Sequence, residues 1–147
     1  MKLMLDTRVL VEICVPGRHE DAKEWFRRLL LAAPPSELLA SVVAEFELRR
    51  SLARRGAFET LEHFEHLSQS LRFVPLSVEV MRRAASLSTT MQPPPSDADA
   101  ILVAQALDED ALLVTTDERL HDTQGLDVRR WAEIDPKQLP EPSMARE

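Results

Sequence analysis

Short apolar segments that end on an acidic residue alternate along this chain with longer amphipathic segments. Residues 2–7 read Lys-Leu-Met-Leu-Asp-Thr, an apolar run that stops at Asp6. Residues 111–117 repeat the arrangement, and Asp117 follows shortly after the apolar run. Runs of this length are typical of strands that are buried on both faces. The pattern predicts strands that carry carboxylates at their C-terminal ends.

The segments between these strands have apolar residues at the three- and four-residue spacing of amphipathic helices. Strands that are joined through helices need crossover connections, which make neighbouring strands parallel. We therefore expect an α/β fold with three layers, α/β/α, around a central, mostly parallel sheet. The predicted helices cover residues 8–15, 19–33, 42–55, 58–71, 78–91 and 98–107, and further short strands cover residues 38–40, 73–74 and a segment near Val128.

The length and composition fit one soluble domain. The chain has 147 residues, of which 44% are hydrophobic, enough for one core. Pro136, Pro140 and Pro142 predict that residues 135–147 form a tail with little regular structure. Cys14 is the sole cysteine, which excludes an intrachain disulfide bond and a thiolate zinc cluster. The sequence has neither a signal peptide nor an apolar run of about 20 residues, so we expect a cytoplasmic protein without membrane association.

The overall charge is acidic, with a formal net charge of −7 at pH 7 and an isoelectric point near 5.1. Loose binding of nucleic acid depends on lysine and arginine side chains that neutralise phosphates, so this charge disfavours it. It leaves open an enzyme that acts on nucleic acid, because an acidic metal site can coexist with local clusters of arginine.

Acidic residues are expected to converge at one edge of the predicted sheet. Asp6 and Asp117 follow strands, while Asp99 and Glu45 lie in the first turns of helices that begin after a strand or a proline-rich loop. Ligands of open parallel sheets bind outside the carboxyl ends of the strands. Asp6 taken alone is equally suited to capping the helix that follows it.

Carboxylates that gather without matching arginines repel one another, which destabilises the fold unless protons or a cation neutralise them. Mg²⁺ and Mn²⁺ prefer oxygen ligands and are commonly held by one or two carboxylates together with substrate phosphate. Such a site suits hydrolysis of a phosphodiester bond, because the metal activates water and stabilises the leaving oxygen.

Four sequence blocks, in this order, resemble PIN-domain ribonucleases of the VapC toxin type. They read LDT at residues 5–7, VAEFELRR at residues 43–50, DAILVAQAL at residues 99–107 and LVTTD at residues 113–117. The resemblance covers residues 1–134 and implies a PIN-like nuclease domain that is a Mg²⁺- or Mn²⁺-dependent endoribonuclease.

The resemblance also implies roles for individual residues and for partners. Asp6 and Asp99 are the expected metal ligands, Glu45 and Asp117 complete the catalytic acids, and Thr115 supplies a hydroxyl beside the site. Proteins of this type usually form homodimers, pair with a cognate antitoxin and repress their own operon through the antitoxin's DNA-binding part.

Three assignments have alternatives. Asp97 lies two residues before Asp99 and is interpreted either as the N-cap of that helix or as a supplementary ligand. Glu47 competes with Glu45, although a shift of two residues turns a side chain to another face of the helix. The arginines of the same helix either bind RNA phosphates or simply suit the negative end of the helix dipole. These arginines are Arg49, Arg50 and Arg54.

Two other functions fit the same fold. One is a regulatory or binding module that keeps a PIN-like fold without cleaving anything, which the loss of one of the four acids would favour. The other is a metal-dependent phosphatase or DNA nuclease. All four acids are present, and the short chain offers little to clamp a DNA flap.

Overall fold

In the part of the chain that the structure describes, a five-stranded parallel sheet forms the centre of the molecule. The computed structural model describes residues 1–32 and 36–137. The sheet has the strand order β3-β2-β1-β4-β5, and every neighbouring pair is parallel. The strands are β1 (Lys2–Leu5), β2 (Glu37–Ser41), β3 (Arg72–Val74), β4 (Leu112–Val114) and β5 (Val128–Arg129).

Within the described residues, six α-helices surround the sheet, in the order that the periodicity predicts. Two 3₁₀ turns, Glu118–Leu120 and Trp131–Glu133, flank β5. The predicted helix over residues 19–33 ends earlier than expected, and its last residue, Ala33, lies outside the described residues together with Pro34, Pro35 and residues 138–147 of the predicted tail. The helices are α1 (Thr7–Cys14), α2 (Glu20–Leu30), α3 (Val42–Arg54), α4 (Phe58–Ser68), α5 (Val78–Thr90) and α6 (Asp97–Asp108).

Helices cover both faces of the sheet, so the expected three layers are present. Alternate residues of β1 point to opposite faces. Leu3 and Leu5 pack in a cluster with residues of α1, α2, α3 and α4, whereas Met4 packs in a second cluster with Val103 of α6. A third, smaller cluster joins α5 to α6. The sequence of α6 is apolar around most of the helix, and its buried residues occupy most of the circumference.

The strand order creates a switch point beside β1. The chain passes from β1 through β2 to β3 on one side and later returns to form β4 and β5 on the other side. The connections leave β1 and β4 in opposite directions, which opens a crevice at their carboxyl ends. Beyond Leu5, the backbone amide of Asp6 still donates to the carbonyl oxygen of Val114, 3.1 Å away. The residues that follow these two strands are therefore held next to each other.

A network of ion pairs lies at the amino ends of the strands, opposite the crevice. Arg72 contacts Glu37 at 2.5 Å and Glu109 at 2.8 Å, and Lys2 contacts Glu109 at 3.2 Å. These residues come from the starts of three strands and the turn after α6. The two basic groups lower the pKa of Glu109, with the hydrogen bond from Arg72 as the main cause. Charged side chains at this end of the sheet are thus paired with each other.

None of the described helices combines the length and the apolar character that are needed to cross a membrane.

Candidate functional site

A cavity of about 460 Å³ lies at the carboxyl ends of the central strands, where the switch point predicts a binding site. The first turns of α1 and α6, the first half of α3 and the loop after β4 contribute to its wall. Its acidic residues are Asp6, Glu47, Asp99 and Asp117, and its basic residues are Arg8 and Arg119.

Asp6 serves both as a helix cap and as part of the cavity wall. Its Oδ1 accepts the backbone N–H of Val9 at 2.8 Å, which caps α1, and its Oδ2 accepts the hydroxyl of Thr115. The residue is only 9% exposed. Burial raises the pKa of Asp6, the two hydrogen bonds oppose this, and the nearby carboxylate of Asp99 raises it further. The nearby Arg8 guanidinium also lowers the pKa of Asp6, but burial outweighs these contributions, so the charged form of Asp6 is disfavoured in the metal-free protein.

Thr115 connects the ends of the two central strands. Its hydroxyl donates to Asp6 and accepts the backbone N–H of Asp117 at 3.1 Å. The side chain is completely buried behind the cavity. One hydroxyl thus fixes the carboxylate after β1 and the backbone of the acidic residue after β4.

Asp99 lies in the first turn of α6 and lines the cavity. The N-cap of this helix is Ser96, whose hydroxyl accepts the backbone N–H of Asp99 at 3.2 Å. The interpretation of Asp97 as the N-cap is therefore wrong: Ser96 has the extended backbone of a cap, and Asp97 is already helical and exposed. Asp97 is also absent from the residues that line the cavity.

The glutamate of α3 in the cavity is Glu47, whereas Glu45, the expected member of the acidic set, does not line it. The hydroxyl of Thr7 donates to Glu47 Oε2 at 3.4 Å. Glu45 forms an ion pair with Arg49 one turn later. A separation of two residues rotates a side chain by about 200° around the helix axis, which explains the difference. In the sequence, Glu47 lies three residues after Ala44 and therefore on the same side of the helix. Ala44 is buried and also lines the cavity.

Asp117 is held by Arg119 and by the backbone. Its carboxylate accepts Arg119 Nε at 3.0 Å, Arg119 Nη2 at 2.7 Å and the backbone N–H of Arg119 at 3.0 Å. These contacts lower the pKa of Asp117, with the side-chain hydrogen bond of Arg119 as the largest cause. Arg119 and Arg8 were not among the residues predicted for the site. The position of Arg119 two residues after Asp117 in a turn was the available signal.

The donor atoms suit a hard divalent cation. Within residues 1–32 and 36–137, no three or more side chains of His, Cys, Asp and Glu form a group that could hold a metal ion. Mg²⁺ does not need such a cage, because it is usually bound by one or two carboxylates and retains several waters. Asp6 and Asp99 fit that requirement, since both line the cavity and the carboxylate of Asp99 is near enough to raise the pKa of Asp6.

Comparisons with known proteins agree with this architecture. A family model described as a PIN domain matches residues 3–126. The chain belongs to the PIN-domain family. No curated protein matches the sequence.

Solved structures with similar folds come from toxin–antitoxin systems and related complexes. VapBC2 from Rickettsia felis, bound to a promoter DNA fragment, has a TM-score of 0.74 at 18% identity, over 89% of this chain and 99% of that chain. A toxin–antitoxin complex from Klebsiella pneumoniae has a TM-score of 0.67 at 17% identity, over 93% and 99%. FitAcB from Neisseria gonorrhoeae has a TM-score of 0.69 at 21% identity, over 90% and 99%. At these identities the similarity establishes the fold.

The arginines that were predicted to bind RNA lie outside the cavity of this PIN domain. Arg49 forms ion pairs with Glu45 and Glu65, and Arg50 lies 4.9 Å from the ring centroid of Phe46. Arg54 is exposed at the end of α3. Arg50 and Arg54 remain accessible to a ligand, whereas the guanidinium group of Arg49 already has two acidic partners.

Replacing Thr115 with valine is expected to lower the free energy of unfolding of the metal-free PIN domain by about 1–3 kcal/mol, because Asp6 Oδ2 loses its buried donor and the backbone N–H of Asp117 loses its acceptor. Thr116→Val is the matched control, since the buried Thr116 hydroxyl has no hydrogen-bond partner among the described residues. We expect this control to stay within about 0.5 kcal/mol of the wild type. Urea denaturation measures both, and equal losses would contradict a specific role for the Thr115 hydroxyl.

Proposed function

We propose that this PIN domain is a metal-dependent endoribonuclease that hydrolyses phosphodiester bonds in RNA and acts as the toxin of a toxin–antitoxin pair. The observation that carries the proposal is the convergence of four carboxylates on one cavity at the switch point of the sheet. Family membership supports nuclease chemistry at this position.

The proposed cofactor is Mg²⁺, with Mn²⁺ as a substitute, and the proposed ligands are Asp6 and Asp99. Glu47 and Asp117 complete the acidic set, so Glu47 takes the role that the sequence suggested for Glu45. A divalent cation at such a site supplies activation of water at neutral pH and polarisation of the phosphoryl group. Thr115 and the N–H of Val9 hold Asp6 in a fixed orientation. This orientation keeps the carboxylate ready to bind without reorganisation.

The basic residues of the cavity suit the phosphates of the substrate. Arg8 lies in the first turn of α1 and, within the described ranges, forms no ion pair shorter than 4 Å. Its guanidinium group is exposed and lines the cavity. Arginine binds phosphate through paired N–H donors, so Arg8 is the proposed contact for the RNA backbone. Arg50 and Arg54 extend the same role along α3.

Cleavage of labelled RNA and labelled DNA of the same sequence tests this function. We expect RNA fragments in Mg²⁺ or Mn²⁺ and no cleavage in EDTA, because the carboxylates have no other means to activate water. Preferential cleavage of DNA would favour the DNA nuclease or phosphatase instead. Cleavage that persists in EDTA would refute the proposed site, and binding of RNA without cleavage in either metal would favour a regulatory module.

The proposed partners are a second copy of this chain and a cognate antitoxin. Structural similarity to VapBC2 and to a toxin–antitoxin complex supports the antitoxin. Exposed apolar side chains on α3 and near the start of α5 support protein contacts, since large exposed hydrophobic residues favour interfaces. They are Val42, Phe46, Leu76, Val78 and Met81. A cytoplasmic location is part of the same proposal.

Light scattering on the purified chain measures its association. A homodimer is expected to have twice the 16.7 kDa mass of one chain at micromolar concentration. A monomer mass at that concentration would contradict the proposed homodimer.

A further inference from the structure

Arg119 lies between two carboxylates of the cavity that come from different elements. Its guanidinium group makes a forked contact with Asp117 through Nε and Nη2, at 3.0 and 2.7 Å. The same Nη2 lies 3.9 Å from Oδ2 of Asp99 at the start of α6. One arginine side chain thus partly neutralises the acid after β4 and an acid of the opposite wall.

The two carboxylates are more enclosed than the arginine that pairs with them. The side chains of Asp117 and Asp99 are 23% and 26% exposed, whereas that of Arg119 is 68% exposed. Partly enclosed carboxylates benefit from a nearby cation because water solvates them incompletely. An exposed arginine can leave such a pair at little cost, since its guanidinium group is readily hydrated and exposed ion pairs are weak. The guanidinium group of Arg119 can therefore be replaced by another cation at little cost.

The charge of the cavity leaves room for a divalent cation. Four carboxylates line it against two guanidinium groups, those of Arg8 and Arg119. With all four carboxylates ionised, two formal negative charges remain, which match one divalent cation. Both oxygens of Asp117 are engaged by Arg119. A metal ion that uses Asp117 or Asp99 must compete with this contact. Its apparent affinity is lower than its intrinsic affinity, because only molecules in which Arg119 is undocked can bind it.

We propose that Arg119 is an internal counter-ion of the acidic cavity that competes with the divalent cation for Asp117 and Asp99. The inference rests on the proposed function, because it requires a divalent cation at this site. A cation held by Asp117 or Asp99 would require the contact of Arg119 with that carboxylate to open. The released guanidinium group is then available to an RNA phosphate, so one residue serves the site in two states.

Mn²⁺ binding to Arg119→Met tests the proposal, since methionine keeps an extended side chain and removes the charge. Isothermal titration calorimetry is expected to show Mn²⁺ binding about 1.5- to 5-fold tighter than in the wild type, the range expected for loss of one partly exposed ion pair. Arg119→Lys, which keeps the charge but loses the forked geometry, should fall between the two. Arg130→Met is the matched control, because Arg130 is also exposed and pairs with Glu118, which does not line the cavity.

Thermal melting supplies a second readout that does not depend on cleavage. In EDTA, Arg119→Met should melt below the wild type because two carboxylates lose their counter-ion, and added Mn²⁺ should raise its melting temperature by more than it raises that of the wild type. Arg130→Met should show the Mn²⁺ response of the wild type.

The possible outcomes separate this inference from the proposed function. Equal Mn²⁺ affinity in the wild type and Arg119→Met would overturn the competition and leave the metal site intact. Binding by Arg119→Met alone would support the competition in its strongest form. Absence of Mn²⁺ binding by both proteins would overturn the metal site and, with it, the competition.

Discussion

Asp99→Asn is expected to lower Mg²⁺-dependent RNA cleavage by about 100-fold or more, because asparagine lacks the negative charge with which Asp99 would bind the metal ion. We expect the substitution to leave the stability of the metal-free fold unchanged or slightly higher. Ser96 caps α6 through the backbone N–H of Asp99, which the substitution retains. The side chain of Asp99 also contributes to the raised pKa of Asp6, so its removal relieves repulsion in the metal-free protein.

The measurement compares RNA cleavage rates in Mg²⁺ with thermal melting in EDTA. Asp97→Asn is the matched control: it makes the same chemical change two residues earlier in the same helical turn, at an exposed position that does not line the cavity. We expect this control to cleave RNA at nearly the wild-type rate. Retained cleavage in Asp99→Asn, or equal losses in both variants, would show that Asp99 is not a ligand.

Glu47→Gln is expected to lower RNA cleavage by roughly 10- to 100-fold, since Glu47 supplies the carboxylate of α3 to the cavity. Glu45→Gln is expected to leave the rate unchanged within about twofold, because Glu45 is paired with Arg49 away from the cavity. Glutamine keeps the size of both side chains, so the difference reports the charge alone.

Single-turnover cleavage with excess enzyme measures both variants under the same metal concentration. Mn²⁺ titration by calorimetry gives an independent readout, in which Glu47→Gln alone should weaken binding. A loss of cleavage that follows Glu45→Gln instead would restore the assignment made from the sequence and would imply that α3 rotates when substrate binds.

Local sequence patterns were sufficient for the architecture. Apolar runs of three to five residues, each followed by a helical pattern, leave parallel strands with crossover helices as the main solution. Ser41 directly precedes the helical pattern of α3, and its hydroxyl caps that helix by accepting the N–H of Val43. The segment after Asp99 is apolar around most of the helix, which explains why α6 lies in the interior. Each of these features depends on residues that are close together in the chain.

The assignment of charged residues needed more than local pattern. Glu45 and Glu47 are equally plausible in the sequence of α3, and only the packing of Ala44 and Leu48 against the core decides which of them faces the cavity. Asp97 and Ser96 compete for one cap, and the choice depends on where the loop before α6 enters the helix. The cluster Arg49, Arg50 and Arg54 looked like a basic surface, yet Arg49 is paired with a glutamate from α4 that is sixteen residues away.

Hydrophobic periodicity and chain breaks act over short distances, so the order of strands and helices could be predicted from the sequence alone, as could the positions of Asp6 and Asp117 after two of the strands. The tertiary structure decided that β1 and β4 are neighbours, and therefore that one threonine hydroxyl joins Asp6 to Asp117. It also decided that Arg119 lies between Asp117 and Asp99. Strand order and helix rotation arise from packing between segments that are far apart in the chain, and the charges of a site are matched only after that packing is complete.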